Sequence, residues 1–364
     1  MRLAETMELN GNSLDLPKFK KIVEEKEKVT LSTAARERLL KGRKIVDAAA
    51  KKGDKTYSIN TGFGILSKVR INDADLEELQ VNLVRSHCAG VGELHSEKES
   101  RAILLLRTNC LAKGFSGVRP ELVEFLIQML NHKIHPAIPS KGSVGASGDL
   151  APLAHLASVI IGEGKAFLDG KLMSGGEALK KVGMMPLKLA PKEGLSLING
   201  TQQMTGLGGL VLLRAQELAD LADLICATSL EGVLGTPRAY TAWLQETRPY
   251  PGQIQSAKNL RHFTEDSEIY KSHEKCDRVQ DPYSFRCAPQ VHGSVRDLFS
   301  SVEKTLEIEF NAATDNPLVN PDTGELISNG NFHGQPVAFA LDILGMGLSE
   351  LGSLSERRMA KLIC

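Results

Sequence analysis

Several common patterns are missing from this 364-residue sequence, and each absence narrows its function. The charge is balanced, with 44 lysines and arginines against 44 aspartates and glutamates, so composition gives no sign of a nucleic acid or acidic membrane partner. The first residues contain no apolar run of signal-peptide length. The longest uncharged stretch, residues 194–213, carries polar side chains that would be costly in lipid. We therefore expect a cytoplasmic protein without a transmembrane helix that acts on a small molecule.

Cysteine and metal-ligand patterns are also sparse. The six cysteines are scattered singly and form neither a CxxC pair nor the dense pattern of a secreted disulfide scaffold, which favours free thiols in a reducing compartment. His95, His132 and His273 show no metal-ligand spacing, and we interpret them as surface or structural residues. The sequence implies no metal.

Helical periodicity dominates what is present. Apolar residues predict long helices over residues 201–227, 289–312 and 335–363, with apolar faces too broad for a single exposed layer. Turn residues at Asp169-Gly170 and at Pro321 to Gly324 predict two short hairpins that look like surface ornaments. We predict a mainly α fold.

We divide this fold into a loop-rich N-terminal part, residues 1–193, and a long-helix bundle, residues 194–364. The last helix reaches the end of the sequence with no glycine cap, proline or polar tail. We therefore expect the fold to continue beyond residue 364.

The segment GSVGASGDLAPLAH, residues 142–155, is rich in small residues and then turns helical, with Asp149 able to cap the helix and Pro152 tolerable in its first turn. One interpretation is a flexible loop before a helix. A phosphate cradle is another, but the glycines fall as GxxGxxG and no clear strand precedes them. In a third, the amide nitrogen of Gly148 attacks the carbonyl carbon of Ala146, which only small residues would permit. Loss of water from the ring and of the Ser147 hydroxyl would then leave an exocyclic methylidene, an electrophile made without any added cofactor.

With these residues the sequence resembles the ammonia-lyases and aminomutases that use a methylidene-imidazolone group, and their histidine-specific branch in particular. The likeness covers essentially the whole chain. Further segments match in the family's order: YSINTGFG at 57–64, SHCAG at 86–90, LINGT at 197–201, QDPYSFR at 280–286 and NGNFH at 329–333. The resemblance implies that Ala146, Ser147 and Gly148 form the electrophile, with no external cofactor.

The resemblance also implies roles in proton removal and around the electrophile. Tyr57 would be the base, although its phenol has an ordinary pKa of about 10 and would need helix N-termini or cations to lower it. Asn199 would hydrogen-bond the imidazolone or the substrate amine, the alternative being an ordinary helix cap. Phe332 would line the pocket unless it is simply core. Asn316 is a weaker candidate, because Asn-Pro commonly begins a turn.

Substrate recognition is implied at two places. Arg286 would clamp the substrate carboxylate, because a guanidinium offers two parallel donors, and Gln280 and Tyr283 precede it in a stretch that enters an active site shared between subunits. The Ser86-His87 pair resembles the histidine branch rather than the Phe-Leu or His-Leu pairs of the phenylalanine and tyrosine enzymes. His87 could instead be satisfied by local polar groups.

The resemblance implies the conversion of L-histidine to urocanate and ammonia by a homotetramer, with each active site drawn from three subunits. A fumarase-like lyase, which eliminates ammonia from aspartate without the electrophile, is one alternative that the intact Ala146-Ser147-Gly148 motif opposes. A non-catalytic fragment or partner subunit is another, as is a lyase for a different aromatic amino acid. Family members continue well beyond residue 358 with further helices and a glutamate that faces the substrate, so we expect this chain to be incomplete as a catalyst.

Overall fold

The computed structural model describes residues 6–51, 61, 71–72, 75–273 and 277–363. Most of these residues are helical, which confirms the predicted mainly α class. The α-helices are α1 (Leu16–Val23), α2 (Thr33–Lys51), α3 (Leu76–His87), α4 (Glu97–Ala112), α5 (Pro120–Asn131), α6 (Leu150–Ile160), α7 (Gly175–Lys181), α8 (Glu193–Ile198), α9 (Gln202–Gly232), α10 (Ala242–Glu246), α11 (Pro251–Phe263), α12 (Glu268–Ser272), α13 (Tyr283–Arg286), α14 (Ala288–Phe310) and α15 (Gln335–Ile363). Short 3-10 helices lie at Gly145–Ser147 and Pro237–Tyr240.

Short strands form small sheets between the helices. They are β1 (Met7–Leu9), β2 (Val29–Leu31), β3 (Val91–Leu94), β4 (His135–Pro136), β5 (Pro139–Lys141), β6 (Lys165–Leu168), β7 (Lys171–Ser174), β8 (Leu318–Val319) and β9 (Leu326–Ile327). β1 pairs with β2 in parallel, whereas β3 with β5, β6 with β7 and β8 with β9 are antiparallel. Both predicted hairpins are therefore present. The first is more than an ornament, because β6 also pairs with β4 in a three-stranded sheet.

The contacts divide the chain into two compact units. The first comprises Met1–Leu210 and Leu306–Ala338, and the second comprises Val211–Thr305 and Phe339–Cys364. The domain boundary drawn from the sequence at residues 193 and 194 stays a prediction.

Three helices of the first unit, α3, α6 and α8, pack against one another. Helix α6 is apolar along its length, and its residues Leu153, Leu156 and Ile160 are fully buried. Helix α4 packs on α5 and begins with a capping box, in which Ser96 and Glu99 satisfy each other's backbone N–H groups. The packing matters for function because the segments that resemble the family's site motifs lie at ends of α3, α6 and α8.

The core of the second unit fixes the short helix α13. Its buried residues are Cys226, Ala227, Leu230, Tyr240, Ala257, Leu260, Phe285, Ala288 and Leu354. The Tyr240 hydroxyl donates to the carbonyl oxygen of Phe285 at 3.0 Å, which satisfies a polar group that would otherwise be buried alone. Burial of Ser284 and Phe285 thus anchors a helix whose remaining two residues, Tyr283 and Arg286, are available for function.

The three long helices predicted from periodicity are observed as α9, α14 and α15. Within the part of the chain that the structure describes, α15 is also the one helix long and apolar enough to cross a membrane by length and composition. A core helix of a soluble protein passes the same test. Val337, Ala340 and Leu344 of α15 are buried against protein, and 33% of its most apolar stretch is buried in all.

Candidate active site

The Ala146-Ser147-Gly148 segment forms a tight, kinked turn. It lies in the 3-10 helix Gly145–Ser147, which the Gly148 N–H closes by donating to the carbonyl oxygen of Gly145 at 2.9 Å. Gly145 and Gly148 have φ angles of 58° and 111°, a region that side chains with a Cβ rarely adopt. Ser147 is exposed at the tip. The turn therefore has the small-residue kink that the cyclisation hypothesis requires.

Two other predicted segments hold this turn. The Gly334 N–H donates to the carbonyl oxygen of Ala146 at 2.7 Å, and the Asp149 N–H donates to that of Gly200 at 2.8 Å. A Cβ placed on Gly148 would lie 3.4 Å from the Gly200 oxygen and 3.9 Å from the backbone oxygen of Phe332. The structure thus brings the turn together with the segments that contain Asn199 and Phe332.

Asp149 has a different role from the one its position suggested. It precedes α6, but its side chain makes no capping hydrogen bond to that helix. The carboxylate instead accepts from the backbone N–H groups of Gln203 and Met204, at 2.8 and 3.0 Å, and so caps α9. It also accepts from the Ser143 hydroxyl at 2.5 Å. Burial raises the pKa of Asp149, although these three donors favour its charged form.

Asn199 directly follows α8, and it is only 7% exposed. Its Nδ2 lies 3.4 Å from Oδ1 of Asp315, and its backbone oxygen accepts from the Arg107 guanidinium at 3.0 Å. Gly200 must be glycine here, because a Cβ would come within 2.5 Å of the Arg107 guanidinium. Buried charges therefore hold the Asn199-Gly200 segment.

Asp315 also forms a buried ion pair with Lys192, which was not predicted from the sequence. Lys192 and Asp315 are completely buried, with Nζ 2.8 Å from Oδ2. Burial lowers the pKa of Lys192 and opposes the charged form of Asp315, but Lys192 and Arg107 still hold the Asp315 pKa below its ordinary value. Lys192 and Glu193 immediately precede the uncharged stretch 194–213, and this was the available signal, since a lysine at the start of a buried stretch needs a buried partner.

His87 is the last residue of α3, and the segment that follows it reaches the loop that contains Gly142. The His87 Nδ1 lies 2.9 Å from the carbonyl oxygen of Leu83 and 3.1 Å from the Ser86 hydroxyl, so the local polar groups engage Nδ1 and not Nε2. Gly90 follows closely, and a Cβ on Gly142 would lie 3.3 Å from its Cα. The Gly90 N–H donates to Nε2 of His155 on α6 at 3.1 Å.

Gln280, Tyr283 and Arg286 lie close together in the second unit. Gln280 and Arg286 line a cavity of about 260 Å³, and the Arg286 guanidinium lies 5.3 Å from the centroid of the Tyr283 ring. Tyr283 is 68% exposed. Arg286 forms no ion pair among the described residues, and its buried Nε has no partner there. Arg278 in the same cavity, by contrast, pairs with Asp281 at 3.1 Å.

Two predicted residues remain to be placed. Tyr57, the predicted base, lies outside the described residues. The Asn316 side chain accepts from the Asn329 N–H at 2.9 Å and the Ser328 hydroxyl at 3.1 Å. Its side chain thus joins two distant parts of the chain, and its interpretation as a turn residue stays a prediction.

Comparison with known proteins gives consistent matches. A family model described as aromatic amino acid lyase matches residues 14–364. A curated histidine ammonia-lyase of Anaeromyxobacter dehalogenans (strain 2CP-C) is 52% identical over 368 residues, which cover 99% of this chain and 72% of that relative. The structure of tyrosine aminomutase from Streptomyces globisporus matches with a TM-score of 0.90 and 40% identity, covering 98% of this chain and 70% of the other. Histidine ammonia-lyase from Trypanosoma cruzi matches with a TM-score of 0.88 and 39% identity, covering 98% and 67%.

Proposed function

The chain belongs to the aromatic amino acid lyase family, and from this premise we propose that it eliminates ammonia from L-histidine and releases urocanate. The observation that carries the proposal is the Ala146-Ser147-Gly148 turn, kinked at glycines and held by Gly200 and Gly334. The 52% identity to a relative named histidine ammonia-lyase supports this substrate. The fumarase-like alternative has no support, because the match is to the aromatic lyase family.

The turn fits the methylidene-imidazolone group that the resemblance implies. Gly148 supplies the attacking nitrogen. It adopts a φ of 111°, and a Cβ there would lie 3.3 Å from the Leu150 side chain, so only glycine fits this position without strain. We propose that Ala146, Ser147 and Gly148 form the group without an external cofactor. It would supply an electrophile that captures the substrate amine and makes it a better leaving group.

The substrate carboxylate requires a cation, and Arg286 is well suited to bind it. Its guanidinium faces a cavity, has no acidic partner among the described residues, and can offer two parallel N–H donors. Tyr283 supports the guanidinium from the ring side, and Gln280 adds an amide to the same cavity. We propose that Arg286 and Gln280 bind the substrate and that Tyr283 is one of the catalytic residues.

The substrate side chain is an imidazole, which can both donate and accept. With Nδ1 engaged by the Leu83 carbonyl, His87 offers Nε2 to an imidazole N–H. A phenyl ring would leave that acceptor without a partner, which is costly in a closed pocket. We therefore propose that Ser86-His87 sets the preference for histidine, and that Phe332 lines the pocket.

Proton removal and amine handling complete the assignment. We propose Tyr57 as the base on the resemblance alone. Asn199 is the group that hydrogen-bonds the reacting amine, because its amide is nearly buried and lies beside Gly200, which contacts the turn. Positioned acid-base groups of this kind typically contribute 10²- to 10⁴-fold in rate.

We also propose a cytoplasmic homotetramer with each active site drawn from three subunits. Apolar residues on α9 and α15 support assembly, since Leu221, Ile225, Phe339 and Met346 are between 44% and 61% exposed. Light scattering on the purified protein tests the tetramer, and a monodisperse monomer at micromolar concentration would reject it.

The reaction is tested by adding L-histidine to purified protein and following urocanate in the near ultraviolet, with L-phenylalanine and L-tyrosine as competing substrates. Ser147→Ala is the matched control, because only an exposed hydroxyl is lost. Any urocanate that forms should come from the wild type and none from Ser147→Ala, whatever the rate of the wild type. The intact mass of the wild type should fall below its sequence mass by two water molecules, because the ring closure and the serine elimination each release one. An unmodified mass together with no urocanate would refute the proposal.

A further inference from the structure

The orientation of the Asn199 amide is set by the side chain behind it. An ionised carboxylate can only accept hydrogen bonds, so the Asn199 atom that faces Oδ1 of Asp315 at 3.4 Å must be Nδ2. Among the described residues, the Asn199 side chain makes its hydrogen bond through Nδ2, and Oδ1 is the other atom of the amide, which this contact does not use. Asn199 therefore offers an acceptor on its open side.

Asp315 is held ionised by its surroundings. Its two oxygens have different donors, and Oδ2 accepts from Lys192 Nζ and from the Ser196 hydroxyl, both at 2.8 Å. Oδ1 accepts from the Asn316 N–H at 2.7 Å as well as from Asn199. Four donors thus surround a fully buried carboxylate, and all of them favour the charged form.

We propose that Asp315 is a positioning residue that orients the Asn199 amide, so that Asn199 meets the substrate amine as a hydrogen-bond acceptor. The inference rests on the proposed function for the identity of the amine. Lys192 is part of the device, because it pairs with Oδ2 and leaves Oδ1 for Asn199.

Asp315→Asn tests the orientation of the Asn199 amide, because the asparagine side chain has nearly the same volume as that of aspartate. Lys192 would attract the new amide oxygen to its own side, which turns the new NH₂ group toward Asn199 and the Asn316 N–H. Two donors would then face each other, and Asn199 must invert to relieve the conflict. An inverted Asn199 presents NH₂ to the substrate amine. We expect kcat/KM for L-histidine to fall roughly 5- to 150-fold, which corresponds to one unsatisfied polar group.

Lys192→Met with Asp315→Asn should restore activity. Without the lysine, the new amide can turn its oxygen toward Asn199 and Asn316 and its NH₂ toward the Ser196 hydroxyl. The double variant removes both members of the buried ion pair, and Arg107 keeps its hydrogen bonds to the Asn199 carbonyl and the Gln202 amide oxygen, so the double variant keeps the proposal testable if the single variant does not fold. Ser196→Ala is the comparison variant, because the Ser196 hydroxyl contacts Lys192 Nζ and Oδ2 of Asp315 but not Oδ1. The contact between Oδ1 and Asn199 remains, so kcat/KM should fall less than in Asp315→Asn.

A double-mutant cycle separates positioning from a general structural role. In an Asn199→Ala background there is no amide to invert, so Asp315→Asn should cause no further loss of kcat/KM. An equal fold-loss in both backgrounds would overturn the proposal. So would a folded double variant, Lys192→Met with Asp315→Asn, that remains as impaired as the single variant.

A spectroscopic readout makes the test independent of turnover. In protein with ¹⁵N-labelled asparagine, the Asn199 side-chain signal is identified by its loss in Asn199→Ala. We expect one Nδ2 proton shifted downfield by the carboxylate, lost in Asp315→Asn and restored in the double variant. An unshifted proton in the wild type would overturn the inference even if the enzyme is active. A wild type without turnover but with this pattern would count against the proposed function alone.

Discussion

Arg286→Lys is the sharpest test of substrate binding in the proposed site. The guanidinium can make two charge-assisted hydrogen bonds to a carboxylate, whereas an ammonium keeps the charge but cannot reproduce the parallel pair. Each such bond contributes about 1.5 to 3 kcal/mol. Losing one should therefore lower kcat/KM about 10- to 150-fold. Because Arg286 has no acidic partner among the described residues, the substitution breaks no internal ion pair, and the loss reflects substrate binding.

The assay compares L-histidine with its methyl ester, which lacks the charged carboxylate. The wild type should prefer L-histidine, and Arg286→Lys should lose most of that preference. Arg278→Lys is the matched control, because Arg278 lines the same cavity but is already engaged by Asp281 and by the Val233 carbonyl oxygen. The reasoning is refuted if Arg286→Lys keeps both the wild-type kcat/KM and the wild-type preference, or if Arg278→Lys produces the same loss.

Three further predictions concern the turn, specificity and pH. Ser147→Ala should keep its circular dichroism but lose turnover and the two-water mass deficit; retention of that deficit would contradict the cyclisation. Replacing Ser86-His87 by Phe-Leu should weaken turnover of histidine and improve that of phenylalanine, and an unchanged kcat/KM ratio would reject the pair as the specificity determinant. Burial, with nearby Arg101, lowers the pKa of His135 to about 3. The unfolded chain therefore binds a proton below about pH 6.5 that the folded chain excludes, and stability should fall by up to about 1.4 kcal/mol per pH unit from there toward pH 3. His135→Phe should flatten that slope in urea titrations, and an unchanged slope would show that other groups cause it.

Local features of the fold were predictable from the sequence, because they depend on residues close together in the chain. Apolar spacing predicted α9, α14 and α15, and turn residues predicted the β6-β7 and β8-β9 hairpins. The turn at Gly145 to Gly148 was also predictable, since only glycine adopts its backbone angles without strain.

Tertiary structure alone decided which polar groups serve these elements. Asp149 caps α9 rather than α6, although it directly precedes α6, because folding brings Gln203 and Met204 to its carboxylate. No local pattern reveals such a partner, since it lies more than fifty positions away along the chain.

The hydrogen-bond partner of the Asn199 side chain, Asp315, is likewise distant along the chain. The type and position of Asn199 matched a motif of the sequence, but the direction of its amide depends on Asp315 and, through it, on Lys192, which is 123 positions from Asp315. A sequence determines that a buried charge needs an opposite charge. Only the folded chain determines which one it meets, and so whether Asn199 presents an oxygen or a nitrogen to the substrate.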